Sequence, residues 1–247
     1  MWFQTRELNF KKTKMFYNPE INESTKTFFF NKEESKHIIK VNRKEEGDII
    51  LVTNGSGYFF TTEIILASDS KCTVKIVGFK KQEQPKYRLH LAVAPTKMNE
   101  RFEWFLEKAT EIGISEITPI ICDHSERKII NKERFEKIIL AAMKQSNQFF
   151  LPKINDAISF INFMENKNLH QKYFAHCDNE DKKSLKNELK INQDVTVLIG
   201  PEGDFSKKEI ELALSKKYIP ISLGNSRLRT ETAAVVACHI VVFLNEE

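Results

Sequence analysis

From Tyr87 onward, short apolar runs alternate with stretches of helical period, and this limits the fold more than any other feature of the 247 residues. YRLHLAVAP, ITPIICD, KYFAHC, DVTVLIGP and IPISLG read as strands. ERFEWFLEKATEIGI, closing at Gly113, and NKERFEKIILAAMKQSNQF, SKKEIELALSKKY and TETAAVVACHIVVFL read as helices. A charged helix or loop follows KYFAHC. Such alternation predicts an α/β domain, a largely parallel sheet with helices on both faces. The last helix holds the run Ala233–Leu244, apolar all round and interrupted only by His239. It is too short to span a bilayer, so it predicts burial in a core or at a subunit contact.

The part before Tyr87 has a different grain. TFFF, DIILVTN, GYFFTTEIILAS and KCTVKIVGF read as short strands, with one helical stretch, KEESKHIIKV, among them. Asn54-Gly55-Ser56-Gly57 between two apolar runs marks a hairpin. Many short strands with tight turns predict a small β-barrel. Residues 1–14 read as a polar extension, 15–80 as the barrel, 81–86 as a linker and 87–247 as the α/β domain.

Composition excludes more than it identifies. The net charge is +4, and residues 1–85 hold 14 Lys/Arg against 11 Asp/Glu. A nucleic-acid partner is allowed but not demanded, because dedicated DNA-binding domains show a larger basic excess. Cys72, Cys122, Cys177 and Cys238 are widely spaced with no CxxC pair. Neither zinc nor a disulfide framework is expected, and free thiols in a reducing cytoplasm are. No signal peptide is evident.

Two strand ends carry the chemistry. VTVLI runs into Gly200-Pro201-Glu202-Gly203, where glycine lets the backbone turn sharply and approach a ligand. Ser206 and Glu209 then form a Ser-x-x-Glu capping box. IPIS runs into Leu223-Gly224, followed by a basic loop with Arg227 and Arg229, and by Thr230 as the expected cap of the last helix. Neither loop is a dinucleotide fingerprint or a P-loop. Both occupy the place where parallel sheets bind ligands. Leu198, Ile199, Leu223 and Leu228 supply apolar walls, with backbone groups free to read an adenine edge.

Together the segments IGPEGDFS and LGNSRLRTETAA resemble the bacterial 16S rRNA (uracil-N3)-methyltransferase family of the SPOUT class, which shows a GPEGG loop and an LG-x-x-ILRTETAA segment. Further matches are Glu100-Arg101-Phe102-Glu103-Trp104, Lys108 to Gly113, Ser125-Glu126-Arg127, Gln145-Ser146 and Leu151-Pro152, with Ser35 to Ile38 and Arg43 to Asp48 in the barrel. There are departures. Asp204 stands where many members have glycine, Asn147-Gln148 replace a common Gly-Arg, and MFYNPE replaces an arginine-containing first strand.

The resemblance implies a trefoil-knotted C-terminal domain and a PUA-like barrel that binds RNA. It also implies a homodimer, S-adenosyl-L-methionine as cofactor and no metal. The partner is 16S rRNA or the small ribosomal subunit, and no membrane is involved. The cofactor would be held by Leu198, Ile199, Gly200, Pro201, Glu202 and Gly203 from the first loop. Leu223, Gly224, Arg227, Leu228, Thr230 and Ala233 would hold it from the second. Arg229 would contact phosphate or steady the uracil oxygen that turns negative on deprotonation. Glu231 and Glu202 are the candidate bases, and Arg43, Arg127 and Arg227 the RNA contacts. An internal salt bridge is the other reading of Glu126 and Arg127. N3 lies on the Watson–Crick edge, so the target uridine must be unpaired or swung out. Two other readings stay open: methylation of another RNA atom, such as a ribose 2′-OH, and a non-catalytic RNA-binding factor.

Overall fold

The computed structural model describes residues 14–165, 171–176 and 182–246. The expected extension, apart from Lys14, and Cys177 lie outside them. Contacts divide the chain into two units: the residues up to Gln84 with Met143–Leu151, and Pro85–Ala142 with Pro152–Glu247.

The first unit is a five-stranded sheet of β1 (Met15–Tyr17), β2 (Thr27–Phe29), β3 (Ile49–Thr53), β4 (Tyr58–Leu66) and β5 (Thr73–Lys81), in the order β1-β3-β4-β5-β2. Only β1 and β3 run parallel. The sheet surrounds Phe16, Ile38, Val52, Phe60 and Val74. Its edge strands β1 and β2 do not pair, so the barrel seam is not a hydrogen-bonded ladder. Phe16 on one edge meets Phe30, just past the other, edge to face at 5.9 Å. KEESKHIIKV forms the short helix α1 (Lys32–Lys36), capped by Asn31, and continues as a π-helical turn, His37–Val41.

The 54–57 turn joins β3 to β4. The Asn54 carboxamide accepts the Ser56 N–H at 2.9 Å, an Asx turn. Gly55 and Gly57 lie at φ 69° and 98°. A Cβ on Gly57 would stand 2.9 Å from the Gln82 carbonyl. Residues 143–151 pack here too. Gly57 N–H donates to the Phe149 carbonyl and Leu151 N–H to the Gly55 carbonyl, both at 2.9 Å. The Phe149 ring stacks on Phe59 at 3.8 Å. The sequence pattern alone places these residues in the α/β domain, whereas their contacts group them with the first unit.

In the second unit, β12 (Val195–Ile199) is buried at every residue, as a strand covered on both faces must be. It lies between β6 (Leu89–Val93) and β10 (Gln171–Ala175), and β13 (Ile219–Ser222) lies between β10 and β11 (Lys183–Ser184). Beyond β6 come β7 (Glu116–Ile121) and the short β8 (Lys153–Ile154), with β9 (Ile158–Ser159) also on β7. Every pair is parallel. The last two long strands therefore enter positions flanked by earlier ones.

Helices cover both faces. α4 (Phe160–Met164) and α6 (Lys207–Ser215) bury Phe160, Phe163 and Ile210 against Ala92, Ile120 and Leu198. α2 (Asn99–Ile112) and the apolar α7 (Thr230–Asn245) pack together, with α7 over β6 and β12. α2 ends on Gly113 in the left-handed region, φ 112°, as its sequence predicts. α3 (Lys132–Ser146) and α5 (Leu185–Glu188) complete the set. Among the described residues no helix is long and apolar enough to cross a membrane.

Candidate functional site

The carboxyl ends of β12 and β13 come together. The hydroxyl of Thr230 donates to the Gly200 carbonyl at 3.0 Å, a buried bond that ties the start of α7 to the bend after β12. Thr230 is therefore the first residue of the helix rather than its cap. The cap is Arg229, through its backbone: the Ala233 N–H donates to the Arg229 carbonyl at 2.8 Å.

A cleft of about 610 Å³ opens between these ends. Ile199, Gly200 and Pro201 form one side and Leu223, Gly224, Arg227 and Leu228 another, with Thr230 and Ala233 from α7. Ala175, His176 and Lys182 extend the wall from the β10 end. The volume falls in the range of about 300–1,000 Å³ usual for small-molecule sites. A second cleft, of about 440 Å³, lies at the amino ends of β6, β7 and β12. It is occupied by internal polar pairing: Glu116 takes Arg88, Lys153 and Asn155, and His90 meets the Thr118 hydroxyl at 2.7 Å. Burial pushes the His90 pKa down to about 4, so its ring stays neutral there.

The first loop is held by the loop after β7. The His124 ring faces the Gly203 and Asp204 carbonyls, both at 3.0 Å, so Nδ1 carries the proton and donates. The Ser206 hydroxyl donates to the Asp123 carboxylate at 2.6 Å, and the Asp123 N–H donates to Glu209 at 2.9 Å. Ser206 and Glu209 make the expected capping box. No motif announced Asp123 and His124, because their partners lie some 80 residues away.

The glycines serve a different purpose from the one their sequence suggests. Neither Gly200 nor Gly203 has a positive φ. They are small because neighbours are close: a Cβ on Gly200 would lie 3.1 Å from the Phe205 ring, and one on Gly203 3.0 Å from His124 Cβ. The left-handed residue of the loop is Asp204, at φ 62°.

The other expected site residues divide. Leu198 is fully buried in β12 against α4 and α6, and neither it nor Glu202 nor Gly203 lines the cleft. The Glu202 carboxylate accepts the Lys97 N–H at 3.0 Å with one oxygen; its other oxygen is buried without a hydrogen-bond partner among the described residues. Glu231 is buried too. One oxygen stands 3.8 Å from Arg101 Nε on α2, and the other is unpartnered among the described residues. Neither candidate base is thus brought to the cleft wall. Arg127 is engaged internally: its guanidinium donates to the Thr96 carbonyl at 3.2 Å and the Lys97 carbonyl at 2.8 Å, while Glu126 pairs with Lys97 Nζ at 2.8 Å. Arg43, Arg227 and Arg229 are exposed. Arg227 lines the cleft, and Arg229 lies between two residues that do.

Comparison with known proteins gives this cleft its context. Residues 82–242 match the model of the RNA methyltransferase domain, and residues 30–77 that of the RNA methyltransferase PUA domain. The ribosomal RNA small subunit methyltransferase E of Buchnera aphidicola is 35% identical over 223 residues, covering 85% of each chain. Its Bacillus subtilis namesake is 26% identical, covering 91% of this chain and 93% of its own. A crystal structure from Porphyromonas gingivalis, described as a probable rRNA-methyltransferase, is 38% identical with a TM-score of 0.86, covering 94% of this chain and 98% of its own. A Legionella pneumophila protein classed as a methyltransferase and bound to the cofactor SAM is 28% identical, with a TM-score of 0.84 over the same shares. By sequence and by fold, the chain belongs to the RNA methyltransferase family.

Proposed function

We propose that this protein uses S-adenosyl-L-methionine to methylate N3 of a uridine in the 16S rRNA of the small ribosomal subunit. The observation that carries the reading is the Thr230–Gly200 bond, which closes two strand-end bends around one cleft. Relatives named for small-subunit rRNA methylation, and one bound to SAM, support it. So does the strand order, in which β12 and β13 enter between earlier strands. That order suits a trefoil-knotted domain of the SPOUT class, an otherwise rare chain path. In this reading residues 15–80 form a PUA-like RNA-binding module, 81–86 a linker and 87–247 the methyltransferase domain. The protein works as a homodimer in the cytoplasm, where its rRNA is made.

The residues present fit the cofactor. Ile199, Leu223, Leu228 and Ala233 offer an apolar slot for a flat base, and the peptide groups of the two loops offer donors and acceptors to its edge. When bound, the cofactor supplies an electrophilic methyl group on a sulfonium sulfur. The chain supplies alignment. Thr230 fixes one wall against the other, and Arg229 meets the uracil oxygen that gains charge as N3 loses its proton. Arg227 and Arg43 take RNA phosphates. Glu202 and Arg127 act as positioning residues, because both hold the backbone at Lys97.

Labelled methyl transfer to free 16S rRNA and to small subunits, followed by nucleoside analysis, tests the reading. N3-methyluridine is the expected product; label on a ribose 2′-oxygen would replace it with the sister chemistry. Gly203→Val tests the loop. Its side chain would press on His124, and crowding of this kind costs about 1–3 kcal/mol. Cofactor affinity should fall about tenfold by calorimetry, and an unaltered dissociation constant would contradict this account.

A further inference from the structure

We infer that Asp204 makes the cleft selective for the charged sulfur of the methyl donor over the neutral thioether left after transfer. The inference rests on the reading that this cofactor occupies the cleft. Asp204 lines the cleft, and among the described lining residues it has the only carboxylate; Lys182 and Arg227 carry the cations. Its backbone is in the left-handed region at φ 62°, which glycine adopts freely and other residues adopt at a cost. Local bonds hold the residue there. Its N–H donates to the Pro201 carbonyl at 2.9 Å, its carboxylate accepts the Phe205 N–H at 2.8 Å, and its carbonyl accepts from His124 at 3.0 Å. A position shaped for glycine thus adds a carboxylate to the residues that line the cleft.

Donor and product isolate the effect of that charge. S-adenosylmethionine and S-adenosylhomocysteine carry the same ammonium, carboxylate, ribose and adenine. They differ by one methyl group and one positive charge on sulfur. A fixed carboxylate on the wall attracts the sulfonium and has no comparable hold on the thioether. The product is then bound less tightly than the donor, which favours its release.

Calorimetry on the full chain, with each of the two ligands and with sinefungin, tests this. Sinefungin carries a protonated amine in place of the sulfonium methyl. Asp204→Asn should weaken S-adenosylmethionine and sinefungin about tenfold and leave S-adenosylhomocysteine within about twofold. Asp204→Gly should do the same while relaxing the backbone, which separates charge from loop geometry. Equal loss for all three ligands would assign Asp204 to the shared ammonium or to the loop, and would overturn the inference. No change in any of them would overturn it as well. If the unaltered chain bound none of the three, the cofactor reading itself would fall, and this inference with it.

Discussion

Arg229→Ala is expected to lower methyl transfer by about 10²–10³-fold, the usual loss when one preorganised donor to a developing negative charge is removed. The chain should fold as before. Arg229 caps α7 with its backbone, not its side chain, and the side chain is exposed, so stability should stay within about 0.5 kcal/mol. Arg127 is a useful contrast, because its guanidinium is committed to the Thr96 and Lys97 carbonyls and its loss would disturb the loop itself. The measurement is labelled methyl transfer at saturating cofactor, beside a thermal melt. Arg229→Lys should recover part of the rate, since it restores the charge without the planar fork. Full turnover in the alanine variant would remove Arg229 from the chemistry.

Phe205→Ala should have the largest effect on stability. The ring is buried between Phe160, at 5.4 Å, and Phe174, at 6.3 Å, and it closes over Gly200. Truncating a buried phenylalanine costs about 3–5 kcal/mol through lost transfer energy and the cavity left behind. In a chain of this size that is a fall of roughly 10 °C in melting temperature. Cofactor affinity should drop as well, because the bend at Gly200 would lose the surface it rests on. A melt within a few degrees of the parent, with unchanged cofactor binding, would show that the ring supports neither.

Local signals made much of the fold legible. The buried run at Val195–Ile199, the Ser206–Glu209 box, the Gly113 stop and the 54–57 turn each involve neighbours in sequence, and each is where its residues predicted. The two strand-end loops are legible as candidates to flank one cleft, because a strand handing over to a helix is recognisable without knowing its partners. What escaped depends on distant partners or on segments too short to show a period. β8 and β9 are two residues each, and α4 barely exceeds one turn. β1 is a strand only because β3 receives it in parallel. Gly203 reads as a flexible turn until His124 is placed beside it, and Thr230 reads as a cap until the Gly200 carbonyl is within reach. Arg127 reads as a possible hand on RNA because nothing in its own neighbourhood reveals the two carbonyls it holds.

The excursion of residues 143–151 into the first unit has a practical result. The chain passes between the units three times, after Gln84, Ala142 and Leu151, so no single cleavage yields two intact halves. A fragment ending at Gln84 would have a naked Phe59 ring, an unanswered Gly55 carbonyl and an unanswered Gly57 N–H. Anyone wishing to study the first unit in isolation would need to graft the nonapeptide back on, or supply it in trans.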